Sequence, residues 1–163
     1  MRAGRLRTLL PRENLAATLY GTVLATSVIA TLPGAERPAI VIAALLVTAI
    51  VFALAHAWAH VLARSAKERH PVTTADIVTG IKHEWPMVEA ALPASAVVAL
   101  ALVDVYSIET ALWLATAVNV LLLFVWGAIV RRISGGTAWI SLRAGLAAGS
   151  LGLILAALKW VIH

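Results

Sequence analysis

Cysteine is absent from this chain of 163 residues, which excludes disulfide staples, iron–sulfur clusters and thiolate metal sites. Charge is scarce too. Charged residues make up 13% of the chain and hydrophobic ones 61%, where a soluble domain carries about 25% and about 45–50%. So little charge cannot cover a globular surface, and most of the chain is expected to be solvated by lipid. No phosphate loop, dinucleotide fingerprint or nucleophile elbow is present, and His83-Glu84 does not open a zinc-protease helix because residue 87 is Met. No enzyme class is indicated, and no catalytic residue or organic cofactor is assigned. The net charge of +5 raises the question of nucleic acid, yet no dense Lys/Arg cluster is interleaved with aromatics. The basic residues flank apolar runs instead, so the expected partner is a lipid bilayer and not nucleic acid.

What the chain does have is five apolar runs. Leu15 to Leu32 is 18 uncharged residues, and Ala39 to Ala63 is 25 without a formal charge. Ala90 to Val103 is 14, reaching 18 if it starts at Pro86 and accepts Glu89. Thr110 to Val130 is 21, and the last run extends from Ala138 to His163. A helix crosses about 30 Å of hydrocarbon with about 17–25 residues. The runs therefore predict an all-α, polytopic membrane bundle of one domain, 1–163, with helices over about 14–32, 39–63, 86–104, 110–131 and 138–161. A polar cytoplasmic segment is expected over 64–85. The first run exceeds the usual signal-peptide core of about 7–15 residues and lacks a clear small-x-small site, so it is read as a retained helix.

Charge placement supports this topology independently. Positive residues collect on the cytoplasmic side of short loops. With five crossings and the N-terminus inside, eleven of the thirteen Lys and Arg residues face the cytoplasm, and only Arg37 and Lys159 lie outside with the C-terminus. Without the third crossing, Arg131 and Arg132 would fall outside and the bias would fail. Trp113, Trp139 and Trp160 sit near run ends, where an aromatic belt belongs. A multi-pass protein of the plasma membrane is expected.

Several residues could carry chemistry. His56 and His60 are four apart, hence on one helix face. Counted back from Arg64, they lie about 12 Å and about 6 Å inside the cytoplasmic edge. Two imidazoles there can hold a metal ion or pass a proton, or simply bond to backbone and headgroups. Thr18, Thr22 and Thr26 form a polar stripe at similar depth, suited to a path lining and, more commonly, to interhelical hydrogen bonds. Glu84 and Glu89 open the third helix, and Pro93 cannot bond to the carbonyl of Glu89, so a kink is predicted there. Carboxylate with imidazole suits a divalent first-row transition metal. Glu68, His70, Asp76 and His83 add ligand-type side chains in the polar segment. Asn119, near mid-membrane, calls for a partner on another helix or subunit, and Gly145, Gly149 and Gly152 form a small-residue face for tight packing or a homodimer.

The last two runs carry a resemblance. Ala111-Leu-Trp-Leu-Ala115, Leu121-Leu-Leu-Phe-Val-Trp-Gly127, Arg131-Arg-Ile-Ser-Gly135 and Leu142-Arg-Ala-Gly-Leu-Ala-Ala148 resemble the final helices and basic Ser-Gly turn of the vacuolar iron transporter family. Tyr20-Gly21 and the five-helix, N-terminus-inside layout are similar as well. The resemblance implies a dimer that exchanges ferrous or other divalent cations for protons between the first helices of its subunits. The chain differs where that family has its acids: Gly21 is followed by Thr22-Val23-Leu24-Ala25, and the second helix carries His56, Trp58 and His60. The chain is similar also to small integral membrane proteins of actinobacterial type, a likeness that implies no activity. Two functions are thus in view. One is a divalent-cation transporter or channel, proton-coupled, built on His56, His60, Glu84 and Glu89 with Thr18 and Thr22. The other is a non-catalytic membrane scaffold or accessory subunit acting through helix packing and the cytoplasmic segment.

Overall fold

A computed structural model describes residues 12–32 and 37–162, with side chains described for 15–32 and 37–157. Residues 33–36, the basic residues before position 12, and the side chains of Lys159 and Trp160 lie outside the described residues. Helices are the only regular structure among the described residues: α1 (Arg12–Thr31), α2 (Pro38–Glu68), α3 (Thr74–Glu89), α4 (Leu92–Ala99), a 3-10 turn (Leu100–Val103), α5 (Ile108–Ile133) and α6 (Ala138–Ile162).

The start and stop signals are local. Pro38 occupies the first turn of α2, where a missing N–H costs nothing. That helix runs five residues past the predicted boundary at 63, because Arg64 to Glu68 are good helix formers and the Arg64 guanidinium bonds to Glu68 at 3.0 Å. It stops at Arg69, which is left-handed (φ 54), two residues before Pro71. The polar segment 64–85 is therefore not a loop. It comprises the end of α2, a short turn and most of α3. The start of α3 is set by a capping box: Thr73 Oγ1 accepts from Asp76 N, and the Asp76 carboxylate accepts from Thr73 N at 2.9 Å.

The chain bends by 41° between Thr74–Glu89 and Leu92–Val103. The break falls at Ala90-Ala91, two residues before Pro93, whose ring and missing N–H disrupt the turn reaching back to residue 89. The Tyr106 hydroxyl ties the following turn back to the Val97 carbonyl at 2.5 Å. Ser107 caps α5, and Arg131 and Arg132 close it.

α2, α5 and α6 (to Ala157) are each long and apolar enough to cross a membrane. The bent pair α3–α4 reaches that length and composition together, and Leu15–Thr31 of α1 is apolar but shorter. The outward faces agree with a lipid solvent. On α2, Val41, Leu45, Ala49, Ala53, Ala57 and Val61 form a buried four-residue stripe, while Val47, Ile50, Val51, Leu54 and Trp58 are exposed. A helix in water would be polar on that outer face.

The core is built largely from alanine. Ala25 and Ile29 of α1 meet Val41, Leu45 and Ala49 of α2, Ala91, Ala94 and Val98 at the bend and α4, and Leu112 and Ala115 of α5. Small side chains let backbones approach, which is how helices gain van der Waals contact when lipid removes the hydrophobic drive. The crossing of α5 and α6 uses glycine from both sides. A Cβ at Gly127 would lie 2.7 Å from Ala148 Cβ, and one at Gly145 would lie 2.7 Å from the Phe124 carbonyl oxygen. Gly145, Gly149 and Gly152 thus face α5 of the same chain.

Candidate metal centre

α3 lies against both α1 and α2, and one glycine from each side sets the distances. At Gly80 a Cβ would meet Val61 Cγ2 at 2.9 Å and the Ala57 carbonyl at 3.2 Å. At Gly21 a Cβ would overlap the Met87 carbonyl oxygen and come within 2.9 Å of Ala90 Cβ. Drawn in this way, α3 delivers His83 and Glu84 to His60 on α2.

Glu84 is buried, and its Oε1 lies 2.9 Å from His60 Nδ1 and 3.8 Å from His83 Nε2. The two rings tilt toward each other with centroids 5.8 Å apart. One donor atom from each residue can be chosen so that all three lie within 4.8 Å of one another. Tetrahedral ligands about 2.0–2.1 Å from a first-row ion stand about 3.3 Å apart, so side-chain shifts of up to about 1.5 Å bring this set to coordination distance. Two imidazoles and a carboxylate leave one coordination position open. Beside them is a cavity of about 360 Å³ lined by His60, Val61, Arg64, Asp76, Thr79, Gly80 and His83. A carboxylate this buried is costly without a partner, and the two imidazoles are what hold it in place.

The other expected ligands are elsewhere. Glu89 follows Glu84 by five residues, about 140° around the helix, and is exposed away from the cluster. His56 turns to α1: its Nδ1 is 3.1 Å from the Phe52 carbonyl and its ring lies 4.9 Å from that of Tyr20. The expected trio His56, His60 and Glu89 is therefore not brought together. Glu84 takes the place of Glu89, because the face of α3 that packs on α2 is the one bearing Glu84. Thr22 and Thr26 are buried in the bundle and Thr18 is half-buried, and none of the three lines this cavity. Thr22 Oγ1 donates to the Thr18 carbonyl and Thr26 Oγ1 to the Thr22 carbonyl, each at 2.8 Å. Their protons are satisfied within α1 instead of across helices.

His83 belongs to the centre more closely than its expected place in a solvated loop suggested. A signal for it was present in the sequence: Thr73-x-x-Asp76 is a capping box, and Ile77, Ile81, Glu84 and Val88 follow at helical spacing.

Glu68, His70 and Asp76 bond within the turn at the edge of the cavity. Both ring nitrogens of His70 face acceptors, the Pro71 carbonyl at 2.7 Å and Glu68 Oε2 at 3.1 Å. The Pro71 carbonyl first, and Glu68 after it, hold the imidazolium above its ordinary range. Hydrogen bonds from Thr73 hold the Asp76 carboxyl below its ordinary value. The signs differ. The His70 contribution to the ordered turn is complete below the unfolded histidine value and is lost as pH rises through the raised one. The Asp76 contribution is present above the unfolded carboxylate value and is lost as pH falls through the depressed one. Protection of the amides at residues 73–77, measured against their intrinsic exchange rates at each pH, is accordingly expected to be highest between these limits, and Asp76→Ala should abolish the acid limb. An acid limb that persists in Asp76→Ala would assign it to another group.

Compared with protein-family models, curated proteins and solved structures, the chain matches none.

Proposed function

We propose that the protein is a five-span membrane protein, N-terminus in the cytoplasm, that takes a divalent first-row transition-metal cation at His60, His83 and Glu84 and carries it across the plasma membrane. The observation behind this reading is a buried carboxylate beside two imidazoles that themselves line a cavity. Neutral imidazole and ionised carboxylate are the forms that bind such an ion, so loading releases protons and couples the cation to pH. The distribution of Lys and Arg puts the cluster at the cytoplasmic end of α2. The likeness to the vacuolar iron transporters agrees in cargo and layout, with a His-rich centre in place of that family's acids, and a homodimer is part of the proposal on the same ground.

Purified protein is expected to bind zinc with about one ion per chain and to move zinc, ferrous or manganous ion into liposomes carrying a metal-sensitive dye. His60→Ala should lose both properties. Binding and flux absent from the wild type would reject the reading. One observation favours the alternative of a non-transporting accessory subunit: an apolar groove of about 500 Å³ between α5 and α6, lined by Trp113, Val120, Phe124, Leu146, Gly149 and Leu153 among others. Zinc binding without flux, together with a stoichiometric protein partner on purification, would favour that alternative.

A further inference from the structure

Asn119 is fully buried on α5, and neither its Oδ1 nor its Nδ2 has a hydrogen-bond partner. Buried amides are almost always paired, because a bare donor or acceptor in apolar surroundings forfeits its full desolvation energy. Among hydrocarbon-solvated helices there is no bulk water to relieve it. An orphan at such a position points to a visitor.

The helix register shows what stands beside it. Ala30 near the end of α1 shares a small cavity with Leu112 and Thr116 near the start of α5. Deeper in the bundle, Ala25 and Ile29 join Leu112 and Ala115 in one cluster. α1 and α5 therefore run side by side in opposite directions. One turn back from Ala30 is Thr26, and two turns back is Thr22, both on the stripe that leads to that cavity. Between three and seven residues onward from Thr116 and Leu112 is Asn119, at the level of those threonines. Thr22 and Thr26 are wholly or almost wholly buried as well. Each has given its hydroxyl proton to a carbonyl of its own helix, which leaves the oxygen lone pairs as acceptors. An amide oxygen and two hydroxyl oxygens, the hydroxyls one helical turn apart, thus stand at neighbouring levels of the bundle, and none of the three side chains carries a charge to trap an ion there.

We infer that Asn119, with Thr22 and Thr26, is a mid-bundle oxygen station for the cation and its remaining water on the way from the His60–His83–Glu84 centre. The inference rests on the transport reading. Uncharged oxygen ligands lower the barrier for a divalent ion without binding it tightly, which a transit point requires. The amide N–H groups serve the water that travels with it.

The test is Asn119→Leu, close in volume and apolar. Wild type and variant are compared for zinc binding by titration, for melting in detergent, and for zinc flux into liposomes. Expected are unchanged zinc binding, a melting temperature equal to or above that of the wild type, and flux reduced by about tenfold or more. Asn119→Thr, which keeps one oxygen, should recover part of the flux. Flux equal to the wild type in Asn119→Leu overturns the station, and so does a melting temperature lowered in step with flux, which would assign the amide to structural bonding. A wild type that binds zinc and moves none overturns the station and the transport reading together. Flux that depends on Asn119 but not on His60 keeps the station and rejects the entry centre.

Discussion

Glu84→Gln is expected to weaken zinc binding by about 100-fold or more while leaving the protein folded. The amide has the shape of the carboxylate and can still accept from His60 Nδ1, so the crossing of α2 and α3 is retained. What is lost is the one negative charge in the ligand set, and a divalent ion held by two neutral imidazoles and an amide oxygen is poorly compensated. His60→Leu is expected to be worse for stability. It strips the nearer partner, 2.9 Å away and itself largely exposed, from a carboxylate that remains buried, and a buried carboxylate that loses a partner destabilises the fold. The two variants thus separate ligation from folding: one loses zinc with little change in melting, the other loses both. Calorimetric titration and thermal melting in detergent read the difference. Zinc binding by Glu84→Gln within a few-fold of wild type would remove Glu84 from the ligand set.

Gly21→Leu should be the most damaging single substitution outside the centre. The first side-chain carbon alone would overlap the Met87 carbonyl oxygen and lie 2.9 Å from Ala90 Cβ. Neither neighbour can swing away, since one is backbone and the other is fixed to it. α1 must then separate from α3 just where α3 approaches its bend, and overpacking of this kind costs about 1–3 kcal/mol or more. Gly149→Ala is the matched control, because its Cβ would meet Phe124 Cβ at 3.4 Å, an ordinary contact. A lowered melting temperature and broadened size-exclusion profile are expected for Gly21→Leu only. Equal melting of the two variants would mean that α1 and α3 do not cross as described.

The candidate centre was half visible in the chain. Helical spacing put His56 and His60 on one face, yet the two diverge: the His56 ring lies beside that of Tyr20, while His60 reaches Glu84. Which glutamate would face the histidines could not be read, because residues 74–85 looked like a polar loop beside an apolar run. Once Thr73 and Asp76 are recognised as a capping box, the helix starts a dozen residues earlier, and its register turns Glu84 toward α2 and Glu89 away. The kink before Pro93 followed from the chemistry of proline alone, since no neighbour is needed to remove an N–H.

Composition and periodicity by themselves determined the all-α class and the presence of long apolar helices, of which α2, α5 and α6 are each long and apolar enough for a membrane. These properties depend on how much side-chain surface lipid or water will accept, and that is written residue by residue. Which helices touch, and therefore which titratable groups meet, was decided only by tertiary packing. Gly21 and Gly80 show why: their effect lies in what is missing between two backbones, and a missing Cβ has no consequence until a second helix arrives to use the space.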